Sequence, residues 1–307
     1  LNGLWDYAVV TVSDSTDTPA DTASAAVPSS WDGKILVPYP VESALSGVMK
    51  PVKPDMALWY RRTFEIPRRW HGRRILLHFE ASDWETTVRL NGKPLGSHQG
   101  GYDGFSFDIT DALIPGRKQE LAVEVRDPTD SSGGNPRGKQ TLRPGGIMYT
   151  PATGIWQPVW LEPVAQTYVS GLRIVPDLDK GTARITALVA GDTDGVTVEA
   201  AVTGVSRAGK KARFRKVAAP GKAGEELAIE VGREHRWTPD SPWLYDLNIE
   251  LRKNGRKTDS VAAYFGMRKV SLGTDEQGVT RIMLNDKFAM QIGTLDQGFW
   301  PDVIYTA

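Results

Sequence analysis

Between Leu58 and Val125 apolar and polar positions alternate with period two. Ile75, Leu77 and Phe79 fall on one face, and Arg74, Leu76, His78 and Glu80 on the other. Thr86, Val88 and Leu90 repeat the pattern, as do Phe105, Phe107 and Ile109, then Leu121, Val123 and Val125. Successive side chains of a strand point to opposite sides, so this spacing predicts half-buried strands with a polar outer face. Asn91-Gly92 predicts a tight type I′ hairpin, because both residues tolerate the positive φ that turn requires. Pro94 lacks an amide donor and predicts an edge strand or a very short return strand. The stretch reads as an antiparallel sheet that must bury its apolar face against a second sheet.

On either side the pattern is more broken. Leu1 to Tyr7 predicts a strand with Trp5 buried, and residues 14–30, rich in Ser, Thr, Asp, Ala and Pro, predict an exposed loop. Residues 31–48 hold a short strand, Ile35 to Val37, followed by a Pro-punctuated descent. After Val125 comes a long irregular loop, residues 126–154; loops of that length inside a compact domain are usually functional or disordered. Ile155 to Val164 brings the chain back as a strand. Beyond Ala165 the expected strands are short and evenly spaced: Leu172–Val175, Ala183–Val189, Val196–Val202, Leu227–Val231, Tyr245–Leu251 and Val261–Phe265. Turns at Gly191-Asp192, Gly209-Lys210 and Asn254-Gly255 separate them. About seven strands in about a hundred residues is the immunoglobulin-like pattern. Gly266 to Val270 closes this unit, Gly273 to Gly278 reads as a linker, and a hairpin is expected from Arg281–Leu284, Asn285-Asp286 and Phe288–Ile292.

Composition narrows the reading. At 307 residues the chain is too long for one ordinary sandwich. Lys plus Arg equals Asp plus Glu, 37 each, so no global charge favours nucleic acid or a membrane surface, and neither is expected as a partner. The 31 Gly and 20 Pro among short alternating runs predict all-β architecture. No cysteine is present, which excludes disulfides and thiolate chemistry and is compatible with secreted, periplasmic or cytosolic proteins, of which a secreted or periplasmic one is the favoured expectation. No apolar run approaches a membrane-spanning helix. The chain opens at Leu1 without a charged, apolar leader, so any signal peptide is expected to have been removed or to lie outside this sequence.

Candidate chemistry concentrates in the 126–154 loop, which carries Asp127, Asp130, Asn135, Arg137, Lys139 and Gln140, with Tyr149 beyond. Planar polar groups beside an aromatic face are side chains that can bind a polar small molecule. The pair Asp83/Glu85 flanks a strand start and is expected to be solvated or turn-forming rather than catalytic. Residues 133–139 match GxxxxGK, but Gln140 stands where Ser or Thr should bind Mg²⁺ and Pro144-Gly145-Gly146 blocks the helix, so no nucleotide site is expected. Trp59, Trp84, Trp156 and Trp160 lie in or beside strands and read as core fillers. Trp237 and Trp243 belong to the second sandwich and are expected to pack between domains. The four histidines, His71, His78, His98 and His235, show no metal spacing, and RRWHGRR (68–74) reads as a solvated basic cluster.

Five stretches carry a resemblance: VPYPVESALSGV (37–48), LWYRRTFEIP (58–67), VRLNGKPLGSHQGGYDGFSFDIT (88–110), TGIWQPVWLE (153–162), and WTPDSPWLYDLNIEL with FGMRKV (237–251, 265–270). In this order they resemble glycoside hydrolase family 2, the β-galactosidases, β-glucuronidases and β-mannosidases. The resemblance implies a jelly-roll sugar-binding-type sandwich over 1–165 and an immunoglobulin-like sandwich over 166–275. Residues 276–307 would then be a linker and the first strand of a (β/α)₈ barrel. A complete barrel needs about 250 residues, so the family's two catalytic glutamates have no counterpart here and no catalytic residue is assigned. The resemblance also implies that a loop of the first sandwich lends an acidic residue to the sugar pocket, which points to Asp127 and secondarily Asp130. Arg137, Lys139 and Gln140 are the further contacts expected from that loop. Asp296, Gln297, Trp300 and Asp302 would follow the first barrel strand and face the pocket. This segment reads IGTLDQGF where the commoner family pattern has GVN followed by Arg or His, so the sugar is not carried over. No cofactor or metal is implied. The partners implied are a terminal β-linked sugar and the barrel itself. Two other readings stand beside this one: an autonomous carbohydrate-binding module with a structural second sandwich, and an adhesion protein of two sandwiches.

Overall fold

The computed structural model describes residues 1–12, 26–131, 136–207, 210–212 and 214–306. Most of the expected 14–30 loop, residues 133–135 of the GxxxxGK match, and Gly209 of the Gly209-Lys210 turn lie outside the described residues. The fold is all-β, as the alternation predicts; among the described residues the only helical pieces are 3₁₀ turns at Ala44–Ser46, Arg68–Trp70 and Thr110–Ala112. No helix among these residues is long and apolar enough to cross a membrane. The chain divides into two compact units, Leu1–Pro163 with Leu295–Ala307, and Val164–Thr294.

The first unit contains β1 (Gly3–Thr11), β2 (Gly33–Val37), β3 (Met56–Phe64), β4 (Arg74–Phe79), β5 (Ser82–Asp83), β6 (Glu85–Leu90), β7 (Lys93–Gln99), β8 (Phe105–Asp108), β9 (Gln119–Arg126), β10 (Gly154–Ile155) and β11 (Val159–Val164). Six of these form one sheet in the order β2-β1-β3-β9-β6-β7, and three form a second sheet in the order β11-β4-β8. Crossovers between non-consecutive neighbours are what a jelly roll requires. Trp5, Tyr60, Val88, Leu121 and Val123 from the large sheet share one core with Ile75, Leu77 and Phe79 from the small one. The alternating faces of β4 and β9 therefore meet as their spacing predicts.

Three local expectations are refined. β3 is not half-buried: Leu58 and Tyr60 enter the main core, while Ala57 and Trp59 join Ala8 and Ala122 in a second apolar cluster on the opposite face. Val27 and Trp31 pack against that cluster and keep this side of the sheet dry. The strand expected from Ile155 to Val164 is broken into β10 and β11, because Pro158 has no amide donor to continue a ladder. Trp160 is not a core filler; it is 38% exposed and stacks on His78 at 4.1 Å. The hairpin chemistry holds as expected. Asn91 (φ 52°) and Gly92 (φ 78°) turn β6 into β7, and β7, which contains Pro94, is an edge of the large sheet.

In the second unit Tyr168–Asp177, Thr182–Ala190 and Glu226–Glu230 form one antiparallel sheet. Val196–Arg207, Leu244–Lys253 and Arg256–Phe265 form the other, and short segments at Lys210–Ala212, Lys216–Val217 and Gly221–Lys222 pair along Val196–Arg207. Ile185 and Ala187 from the first sheet and Val198, Ala200, Leu247 and Ile249 from the second close one core, an immunoglobulin-like sandwich with no disulfide. Residues 270–288 add a small sheet in which Val270–Thr274 pairs with Thr280–Leu284 and the latter with Lys287–Phe288. Gly273 and Thr274, read as linker, are thus strand, and the expected return strand stops at Phe288. Residues 289–299 carry no regular structure. A parallel barrel strand expected there would need neighbouring strands to satisfy its amides.

Candidate functional site

Within the first unit, three carboxyl side chains are buried close to one another, each delivered by a different break in the β pattern. Glu42 follows the Pro38/Pro40 descent, Asp83 sits at the two-residue strand β5, and Asp127 comes one residue after β9. They are 9%, 5% and 2% exposed. Thr153 joins two of them: its amide donates to Glu42 Oε2 (2.9 Å) and its hydroxyl to Asp127 Oδ2 (2.7 Å). Asp127 Oδ1 accepts from the amide (3.0 Å) and hydroxyl (2.8 Å) of Thr129. Gln140 sits beside the third, Asp83, donates to the Arg137 carbonyl (3.1 Å) and accepts from the Ala152 amide (2.6 Å). Gly101 allows this packing, since a Cβ there would lie 2.7 Å from the Asp83 carboxyl carbon.

Charge in this cluster is governed by dehydration. Burial pushes the Glu42 carboxyl up to about 8, and the nearby Asp127 charge adds to that against the Thr153 hydrogen bonds. Its Oε1 is buried without a hydrogen-bond partner, which fits a protonated acid better than a carboxylate. Burial likewise pushes Asp83 up to about 7, reinforced by Asp127 and opposed by Gln140. The expectation that Asp83 is solvated or turn-forming is therefore corrected: the packed β5–β10 pair and the 140–153 loop enclose it. Glu85 stays half-buried and accepts from Gln99.

Above the acids lies a set of aromatic rings. Tyr149 stacks on Phe299 at 4.0 Å, Phe299 meets Tyr305 at 4.6 Å, and Tyr305 meets Trp156 at 5.4 Å and Tyr102 at 5.8 Å. The two phenols of Tyr102 and Tyr305 are 3.0 Å apart, and Trp156 Nε1 donates to the Gly101 carbonyl (2.7 Å). A cavity of about 330 Å³ is lined by Glu42, Met49, Tyr149, Phe299, Trp300 and Ile304, among others. Of the three acids only Glu42 lines it, so among the described residues no two of these carboxyls face each other across this cavity as glycoside hydrolysis demands.

The residues named from the sequence fall into distinct settings. Asp127 is enclosed and holds the loop through Thr129 and Thr153. Asp130, at φ 65°, accepts from Arg137 (2.5 Å), Thr141 (2.8 Å) and the Leu142 amide (2.6 Å), so both it and Arg137 are engaged in folding the loop. Gln140 is enclosed beside Asp83. Gln297 is brought to the loop: Tyr149 donates to its Oε1 (2.6 Å), and Lys139 Nζ lies 3.5 Å from the same atom. Trp300 is 58% exposed at the cavity. Asp296 caps the Gly298 amide (2.9 Å), and Asp302 contributes its carbonyl to the Leu45 amide (3.1 Å). Glu42, Tyr102 and Tyr305 escaped the sequence reading. Glu42 lies inside the quoted VPYPVES stretch, where a buried acid flanked by prolines and a serine cap was the available signal. Among the described residues no group of His, Cys, Asp and Glu has metal-site geometry.

Comparison with known proteins agrees with this architecture. Residues 1–135 match the model described as "Glycosyl hydrolases family 2, sugar binding domain", and residues 167–268 match "Glycosyl hydrolases family 2". A β-galactosidase of Thermoanaerobacter pseudethanolicus is 26% identical over 71% of this chain and 29% of its own length. A β-glucuronidase of Paenibacillus borealis is 25% identical over 93% of this chain and 47% of its own length. The chain thus spans about a third to a half of these relatives. Among solved structures, a β-glucuronidase from Ruminococcus gnavus superposes over 100% of this chain and 50% of its own, with a TM-score of 0.73 at 18% identity. A Bacteroides uniformis β-glucuronidase does so over 36% of its own chain, with a TM-score of 0.67 at 25% identity. With two family models matched in order over most of its length, the chain belongs to the glycosyl hydrolases of family 2.

Proposed function

We propose that this chain is the N-terminal, non-catalytic part of a retaining β-glycosidase that removes a terminal β-linked sugar through a glycosyl-enzyme intermediate. The observation that carries the reading is the arrangement of the acids: three are clustered, yet only Glu42 lines a cavity, so the chain lacks a facing carboxyl pair among its described residues. The bond-breaking glutamates would come from a barrel that this chain contacts. Asp127, Asp130, Arg137 and Gln140 shape the 126–154 loop, while Lys139, Tyr149, Gln297 and Trp300 would meet the sugar at its rim. Asp296 and Asp302 would hold the segment that carries Gln297 and Trp300. The test is turnover of p-nitrophenyl β-galactoside and β-glucuronide by the purified 307-residue chain, alone and with Glu42→Gln or Asp83→Asn. No turnover is expected from any of the three. Turnover by the chain that either substitution abolishes would place the reacting acids here and overturn the reading.

A further inference from the structure

A second concavity in the first unit lies among residues none of which belongs to the acid cluster, and the basic RRWHGRR motif forms one wall of it. It measures about 760 Å³, within the range of small-molecule sites. Its floor is apolar, made by Ile66, Trp70, Ile75 and Leu113, and its rim carries Arg68, Arg73, Arg117 and Lys118 against a single carboxylate, Glu65. All four cations are exposed, and among the described residues none has an ion pair or a side-chain hydrogen bond. Their neighbour Arg74, by contrast, is paired with Asp108.

The backbone under these cations is held rigidly. Arg68–Trp70 is a 3₁₀ turn, continued by bonds from the Trp70 amide to the Pro67 carbonyl (2.9 Å) and from the Arg73 amide to the Trp70 carbonyl (3.1 Å). The opposite turn is pinned by one buried amide. Gln119, 2% exposed, donates to the carbonyls of Ile114 (2.8 Å) and Arg117 (2.6 Å) and accepts from the Ile114 amide (2.8 Å). The two turns are joined where Thr110 Oγ1 accepts from the Ile75 amide (2.9 Å). Like charges held on fixed backbone without counterions raise the potential in a concave site and attract an anion.

We infer that this concavity is a binding site for an acidic saccharide, one carrying a carboxylate or a sulfate ester. Arginine forks match those groups in a planar, two-point way. The apolar floor complements the C–H face of a sugar ring, whereas a planar base would need a fully open aromatic face and Trp70 is half-buried. Glu65 on the rim repels a bare polyanion and accepts hydroxyl hydrogens, which selects an anion that also carries hydroxyls. The chain's balanced charge argues against a nucleic-acid surface.

The experiment titrates the 307-residue chain with trigalacturonate, with neutral maltotriose, with sodium sulfate and with ATP, by calorimetry at low salt. Trigalacturonate is expected to bind with a Kd at or below about 1 mM, with maltotriose and sulfate at least about tenfold weaker. The exposed double variant Arg73→Ala/Arg117→Ala is expected to weaken trigalacturonate at least about tenfold with an unchanged thermal melt. Absence of trigalacturonate binding, equal binding of maltotriose or sulfate, tighter binding of ATP, or an unaffected double variant would each overturn the inference. None of these outcomes bears on the glycosidase reading, which uses other residues.

Discussion

Glu42 is the residue whose chemistry departs furthest from its sequence context. Its carboxyl is pushed from 4.5 to about 8 chiefly by burial, so between those values the folded chain keeps a proton that the unfolded chain has released. The folded state then binds more protons than the unfolded one, and stability falls as pH rises. The contribution is fully present below pH 4.5 and is lost by about 8, at a slope approaching about 1.4 kcal/mol per unit for one group. Asp83 adds a second loss in the same direction between 3.8 and about 7. Chemical denaturation at pH 5 and pH 8 should therefore give a lower midpoint at the higher pH. Glu42→Gln, which preserves an acceptor for the Thr153 amide, should narrow that difference; an unchanged difference would show that Glu42 is already ionised at neutral pH. Gly154 makes a different demand. Its φ is +93°, and a Cβ would come within 2.0 Å of the Tyr60 hydroxyl, which accepts from the Ile155 amide at 3.2 Å. Gly154→Ala should cost at least about 2 kcal/mol through backbone strain and overpacking together. Because the clashing atom is that hydroxyl, Tyr60→Phe in the same chain should recover part of the loss, and strictly additive losses would refute the clash.

At the scale of elements, the strands and their turns were legible because one local rule decides each of them. Ile75, Leu77 and Phe79 alternate and share the core, and Asn91-Gly92 turns where two positive φ values are needed. Trp59 shows where that rule ends: period two predicts which residues share a face, yet nothing local reveals that Val27 and Trp31 cover the opposite face as well. The acid cluster was illegible for a related reason. Asp83 and Glu42 lie far apart in sequence, and their burial depends on the 140–153 loop folding back over them. Asp130 was visible as a loop acid, but its three hydrogen bonds reveal a fold-organising role within the loop. Asp130→Ala would leave the Leu142 amide and the Thr141 hydroxyl without that acceptor, each bond being worth about 1–2 kcal/mol. Hydrogen exchange should accelerate at Leu142 and its neighbours while the amides of β3 and β9 keep their protection. Equal acceleration in both places would mean that the loop and the sandwich open together.

On the scale of the molecule, the first unit is discontinuous in sequence, since Leu295–Ala307 is grouped with Leu1–Pro163. The contacts that make it so are specific. Ile304 is 6% exposed, the Thr306 hydroxyl lies 2.9 Å from the Pro38 carbonyl and 2.7 Å from that of Trp156, and Tyr305 closes the aromatic set over Asp83. Burying one such aliphatic side chain contributes about 1.5–3 kcal/mol, an aromatic contact about 0.5–1.5 kcal/mol and a hydroxyl bond about 1 kcal/mol. A chain ending at residue 294 should therefore lose about 3 kcal/mol or more from its first unit once these terms are combined, with the ordering entropy of the segment subtracted. That loss should appear as a lower denaturation midpoint and as faster exchange at Trp156 and Tyr102. Removal of Tyr305 alone, as Tyr305→Ala, should also let water reach Asp83 and return its carboxyl toward the ordinary range, because burial is the main cause of its shift. If the shortened chain melts where the full one does, residues 295–306 rest on the first unit without stabilising it, and the aromatic set cannot be what keeps Asp83 dry.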